Sequence, residues 1–194
     1  MTKTLPHSVD PQTGKRYWLI KSEPLSRIEG KDQEVAYPLS NLLTNSFTTW
    51  DGVRNHEAKN HMLNMSLGDY CLFYHSNCPH PGIVGIVEVC KEAHPDHSQW
   101  ELGNKYVDPK SSHDSPRWWC VDVKFNRRLK SKLTLDILRA DPELAEMALV
   151  KRGRLSVTPV RTEEFLRVLQ MEKESALKDD LDCEIPRDLI DIVS

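Results

Sequence analysis

The chain reads as an α+β protein built on a curled sheet, and three observations predict it. Strand-like runs follow one another directly, "DYCLFYHS" and then "GIVGIVEVCKE", with turn chemistry in "NCPHPG" between them. The order of strand, helix, hairpin, long loop, strand, helices, strand and helix sets strands side by side in sequence, which argues against a doubly wound βαβ sheet. The 194 residues are 39% hydrophobic and 28% charged, the make-up of one globular domain with tails.

Taken in order, residues 1–15 are polar, carry Pro6, Pro11 and Gly14, and read as a flexible arm. "YWLIKSEP" is a short strand stopped at Pro24, because proline cannot donate to a ladder and biases Glu23 away from helix. "YPLSNLLTN" reads as a short helix or turn, and 54–65 as a better helix, with Ala58, Met62 and Met65 at three- and four-residue spacing. The hairpin follows, then a polar stretch from His94 to Pro116, long enough to be a functional loop. "RWWCVDVKFNRRL" is the clearest strand: Trp119, Val121, Val123 and Phe125 share the predicted core face, while Trp118, Cys120 and Asp122 point the other way. "LTLDILRADPELAEMALV" has helical period broken at Pro142, "GRLSVTPV" is a last strand, and "TEEFLRVLQM" a capped helix starting at Thr162.

The net charge of −3 conceals an asymmetry. Residues 172–194 hold eight acids and three bases, a tail of −5, which leaves the body at +2. A mildly basic body permits a nucleic-acid partner. The N-terminus lacks the apolar centre of a secretory signal, and no apolar run approaches the roughly 20 residues of a membrane helix. The chain is therefore expected to be neither secreted nor membrane-bound, and to act as a monomer. Five cysteines without a CxxC pair read as small buried hydrophobes in a reducing compartment.

Two groups have metal-ligand types at short spacing, His75/Cys78/His80 and Cys90/His94/His97, but Pro79 and Pro81 explain the first as a turn, and neither gives the clean ligand pairs of structural zinc. No metal and no cofactor are expected. GxSxG, HExxH and P-loop motifs are all missing, so no catalytic residue is assigned. The aromatics say more. Trp18 alternates within a strand and reads as core. For Trp50, Tyr106 and Trp118 packing is the first reading, with Trp50 the best exception, because Asp51-Gly52 makes a turn with no side chain to block approach. Basic residues fall in groups at Lys21, at Arg54 with Lys59, at Lys124 to Lys132 and at Lys151 to Arg154. Beside loop aromatics they form the stacking-plus-phosphate mixture used on unpaired bases.

Several segments together resemble one family. "YWLIKSEP", "WDGVRN", "GDYCLFYHSNC", "PGIVGIVEV", "YVDPKS", "PRWWCVDVKF" and "LVKRGRLSVTPV" look like the EVE domain of the thymocyte nuclear protein type, in order and over 16–171. The arm (1–15) and the acidic tail (172–194) fall outside. The resemblance implies a PUA-like fold, a strongly bent mixed β-barrel surrounded by helices, and a nuclear place in a eukaryote or a cytoplasmic one otherwise. It also implies a partner: nucleic acid, DNA or RNA, carrying a methylated or hydroxymethylated base. EVE domains are similar to YTH domains, which read N6-methyladenine; the strand end "LIKS" and Trp50 resemble their pocket, but a full set of cage tryptophans is missing.

The base pocket implied in this way comprises Lys21, Ser22, Glu23, Trp50, Gly52, Val53, Tyr74, His75, Ser76, Tyr106 and Trp118, with Arg54, Lys59 and Arg154 for neighbouring phosphates. Trp50 would be the flat wall, Gly52 would let backbone come close, and Ser22 would address a polar edge. The alternatives are an enzyme acting on a modified base or nucleotide, and a protein-interaction adaptor. Exposure of Trp50 at a concave basic surface, against burial in apolar packing, separates the adaptor from the reader.

Overall fold

The computed structural model describes residues 9–25, 27–29 and 33–184. Residues 1–8 of the expected arm and 185–194 of the tail lie outside them. The elements are β1 (Tyr17–Ser22), β2 (Arg27–Glu29), β3 (Gln33–Val35), α1 (Asn41–Thr44), β4 (Thr48–Thr49), α2 (His56–Met62), β5 (Tyr70–His75), β6 (Gly82–Pro95), β7 (Trp119–Thr134), α3 (Leu135–Ala140), α4 (Ala148–Lys151), β8 (Val157–Val160) and α5 (Thr162–Glu184). Six strands form one mixed sheet in the order β4-β7-β6-β5-β1-β8, and β2 and β3 pair separately.

The expected hairpin is there, with β5 antiparallel to β6. What adjacency in sequence did not show is that β1 runs parallel to β5 and antiparallel to β8, which places the first strand inside the sheet. Such a strand is covered on both faces. Tyr17 and Leu19 belong to a core under α3, α4 and α5, whereas Trp18 and Ile20 belong to a second core against α1 and α2. Register shifts interrupt β6 against β7 at four places, and such bulges bend a sheet. Among the described residues the sheet remains open, with β4 and β8 at its edges.

Side-chain chemistry sets the boundaries of the helices. Asn55 starts α2 by accepting from the Glu57 and Ala58 N–H groups at 2.9 and 3.1 Å. At the start of α5 the Glu164 carboxylate reaches back to the Arg161 N–H at 2.9 Å, which is the glutamate half of a capping box. Helix α5 docks through Phe165, Val168 and Met171, with Phe165 stacked on Tyr17 at 4.0 Å. It continues past residue 171 to Glu184, and Glu172, 4% exposed, takes both ends of the Arg127 guanidinium at 2.8 Å. At the other end of the chain, residues 10–15 form a turn closed by Asp10, whose carboxylate accepts from Tyr17 Oη and the Gln12 N–H.

The strand-face reading of "RWWCVDVKF" needs correction at its start. Val121 and Val123 are fully buried as expected, but Trp118 is 5% exposed and Trp119 only half-buried. Regular pleating begins at Trp119, so alternation does not extend to Trp118. Trp118 is fixed by its loop instead: its N–H and C=O bond the Gln99 amide, its Nε1 donates to Asp108 at 2.7 Å, and its ring stacks on His56 at 4.7 Å. Asp122 does face away from the core, yet it too is buried, against His94 at 3.0 Å. Phe125, expected in the core, is only partly buried but packs against the α1/α2-side core.

Candidate nucleic-acid interface

A cavity of about 520 Å³ opens where the end of β1 meets two loops. That volume is in the range of small-molecule sites. The end of β1 contributes Lys21, Ser22 and Glu23, the chain after β3 contributes Tyr37, the turn after β4 contributes Trp50 to Asn55, and the long loop contributes Asn104 to Tyr106. Seven of the residues expected in a base pocket therefore converge: Lys21, Ser22, Glu23, Trp50, Gly52, Val53 and Tyr106. Arg54 joins them.

Trp50 both lines the cavity and packs. Its N–H donates to Val121 O at 2.7 Å, which ties the turn to β7, and its ring meets Phe73 edge-on at 5.5 Å and Tyr37 at 6.2 Å. The ring is left half-buried. Two aromatic edges hold it in one orientation, as a stacking wall requires.

Gly52 explains the neighbouring wall. Its φ of +71° is left-handed, and a Cβ there would lie 2.5 Å from the Tyr106 ring. The absence of a side chain lets Tyr106 lie directly on the turn. Arg54 completes the join. Its Nε donates to Tyr106 O at 2.8 Å, Nη1 to Asp96 at 2.7 Å and Nη2 to Ser98 at 2.9 Å, while the guanidinium lies 5.3 Å from the Tyr106 ring centroid. Burial alone would push the Asp96 carboxyl up, but hydrogen bonds from Ser98, Arg54 and the Gly52 N–H outweigh it and hold it below the ordinary carboxylate range. Arg54, expected on a phosphate, fixes the turn and the loop to each other with four of its five N–H donors.

On the β1 side, Lys21 Nζ donates to Gly153 O at 2.6 Å and lies 5.5 Å from the Tyr74 ring; burial lowers its pKa. Ser22 donates its hydroxyl to Tyr37 O, so toward a ligand it is an acceptor. The remaining expected residues stand elsewhere. Tyr74 is buried in the α5-side core. Ser76 closes the end of β1 through the Ser22 C=O, His75 lies on a separate groove, and Trp118 is buried behind Arg54. Lys59 and Arg154 are outside the cavity wall. Sequence reasoning passed over Tyr37, Asp51, Asn55, Asn104 and Lys105. Asp51 and Asn55 adjoin residues already singled out, but nothing local marks Tyr37.

One further constellation has the residue types of a catalytic site. Cys120 Sγ is 3.4 Å from His94 Nδ1, and His94 Nε2 is 3.0 Å from Asp122. The thiol is 1% exposed, and burial, with Asp96 and Asp122 nearby, pushes it up to about 12. An activated nucleophile needs the opposite shift and an approach path. Among the described residues no three His, Cys, Asp or Glu side chains are grouped to hold a metal.

The EVE domain profile matches residues 16–171. The chain belongs to the EVE domain family. Human thymocyte nuclear protein 1 is 42% identical over 168 residues, 81% of this chain and 74% of that one. A crystal structure of the human THYN1 protein in complex with 5-methylcytosine-containing DNA matches this EVE domain with a TM-score of 0.78 and 42% identity, over 81% of this chain and 98% of that one. A bacterial structure, from Pseudomonas putida, matches with a TM-score of 0.72 and 36% identity, over 80% and 99%. The mixed sheet with flanking helices described above is what matches these structures, and no helix among the described residues is long and apolar enough to cross a membrane.

Proposed function

We propose that this EVE domain binds nucleic acid and reads a methylated cytosine, placed extrahelically in the cavity beside Trp50, without catalysing a reaction. The observation that carries the reading is the convergence of a half-buried tryptophan, clamped by two aromatic edges, with polar side chains around one cavity. Its relative in complex with 5-methylcytosine-containing DNA supports the choice of base. Glu23 and Asp51 at the wall are acceptors suited to the exocyclic amine of cytosine. One methyl group buried snugly contributes on the order of 1 kcal/mol, so larger selectivity has to come from such hydrogen bonds. The buried, unactivated Cys120 supports a reader over an enzyme. In the same reading the four bulges close the bent sheet toward a PUA-like barrel, residues 16–171 are the reading module between an arm and an acidic tail, and a eukaryotic chain of this kind works in the nucleus.

Binding of Trp50→Ala to DNA with and without one 5-methylcytosine tests this. Affinity for the methylated strand should fall by about 1–3 kcal/mol, roughly ten- to a hundredfold, and the preference for methylation should shrink with it. Trp50 also packs on Phe73 and Tyr37, so some stability goes too, and binding is measured well below the melting temperature. A folded variant that keeps both affinity and preference would return Trp50 to packing alone.

A further inference from the structure

A second groove, of about 350 Å³, lies next to the base cavity and has a different character. Buried Leu39 and Leu129 form its base, and Ser40, His75, Arg128 and Lys132 stand around it. Among the described residues, none that lines it is acidic. Arg128 and Lys132 are exposed, and neither has an ion-pair partner among the described residues. In this they differ from Arg127, which grips Glu172, and from Lys124, which pairs with Glu88 at 3.1 Å. His75 Nε2 accepts from the Leu39 N–H at 3.2 Å, so the ring proton is on Nδ1, where it has no partner among the described residues.

The groove is one strand away from the cavity. Ser22 lines the cavity and is in register with His75 on the neighbouring strand, about 5 Å away. Tyr37 lines the cavity, and Leu39, two residues later, lines the groove. Two cations, an imidazole N–H and a serine hydroxyl around this hollow make a set of donors with no acceptor of matching charge among the described residues. A phosphodiester supplies that acceptor.

We infer that the Arg128–Lys132 groove holds a backbone phosphate of the same strand whose base enters the Trp50 cavity, an assignment that rests on the base-reading function above. The cavity then carries selectivity while the groove sets register and contributes sequence-independent affinity.

The test uses the full-length chain and duplex DNA with one 5-methylcytosine. Arg128→Ala/Lys132→Ala should keep the wild-type melting temperature and lose about tenfold in affinity, for methylated and unmethylated DNA alike. The slope of log affinity against log salt should flatten by about 1, the loss of one neutralised phosphate. A single uncharged methylphosphonate is then moved linkage by linkage along the strand. At one position close to the methylated base it should weaken the wild type and leave the double variant unaffected. Unchanged affinity and salt slope in the double variant would overturn the groove, and so would losses that add at every linkage. Trp50→Ala, run beside it, keeps the two readings apart. If the methylphosphonate coupling persists while Trp50→Ala leaves the methylation preference intact, the groove stands and the cavity reading fails. If Trp50→Ala abolishes the preference while groove and backbone losses add, the cavity stands and the groove fails.

Discussion

Arg54 and the Arg128–Lys132 pair are cations on the walls of two neighbouring hollows, and they do opposite things. Arg54 is four-fifths buried at its side chain and bonds Asp96, Ser98 and two backbone carbonyls, so its charge is neutralised inside the protein. Arg128 and Lys132 are exposed, and among the described residues they have no ion-pair partner and no acid lines the hollow beside them. A cation that fixes two loops has less to offer a phosphate, because four of the five N–H donors of Arg54 are already used inside the protein. Proximity to a cavity therefore says less about a basic residue than what already accepts its hydrogen bonds.

The largest expected effect breaks the Arg54 side of this contrast. Asp96→Ala removes the acceptor of the Arg54, Ser98 and Gly52 bonds at a fully buried carboxylate. Stability should fall by about 3 kcal/mol, the low end for breaking a buried pair, because Arg54 keeps some exposure. Urea unfolding measures this; a loss below about 1 kcal/mol would mean the clamp is not structural.

Gly52→Ala probes the same corner more gently. The new Cβ meets the Tyr106 ring and the residue must hold a positive φ, so stability should drop by about 1–2 kcal/mol. Affinity for methylated DNA should drop with it as Tyr106 is displaced. Wild-type affinity in this variant would mean that the position of Tyr106 on the turn does not matter to the ligand.

The smallest effect lies on the groove side and depends on pH. Burial, then the Lys132 charge, depresses the His75 pKa to about 4. The unfolded chain, with an ordinary histidine near 6.5, binds more protons between these values, so stability from this residue is present above about pH 6.5 and is lost as pH falls toward 4. His75→Gln should show a shallower fall in melting temperature than the wild type across that window. Parallel curves would show that His75 does not titrate there.

Much of this molecule is legible in the chain, and what is not depends on residues farther along it. The hairpin, the last strand, the helix from Thr162 and the Trp50 turn all rest on neighbours in sequence: β-branched runs, turn residues, a glutamate three places into a helix, an Asp-Gly pair. Trp118 was misplaced because a period-two reading assumes an unbroken strand, whereas the loop around Gln99 and Asp108 claims that residue. Tyr37 gave no signal, since its place in the wall depends on the chain passing beside Ser22.

By itself the sequence determined which segments are extended or helical, where they turn, and that one tryptophan stands at a glycine turn. Those properties come from backbone preference and apolar period, which act over a few residues. Only the tertiary structure decided which cations are free. That outcome depends on whether a carboxylate from far along the chain comes within hydrogen-bond reach, as Asp96 does for Arg54 across 42 positions and as none among the described residues does for Arg128 or Lys132.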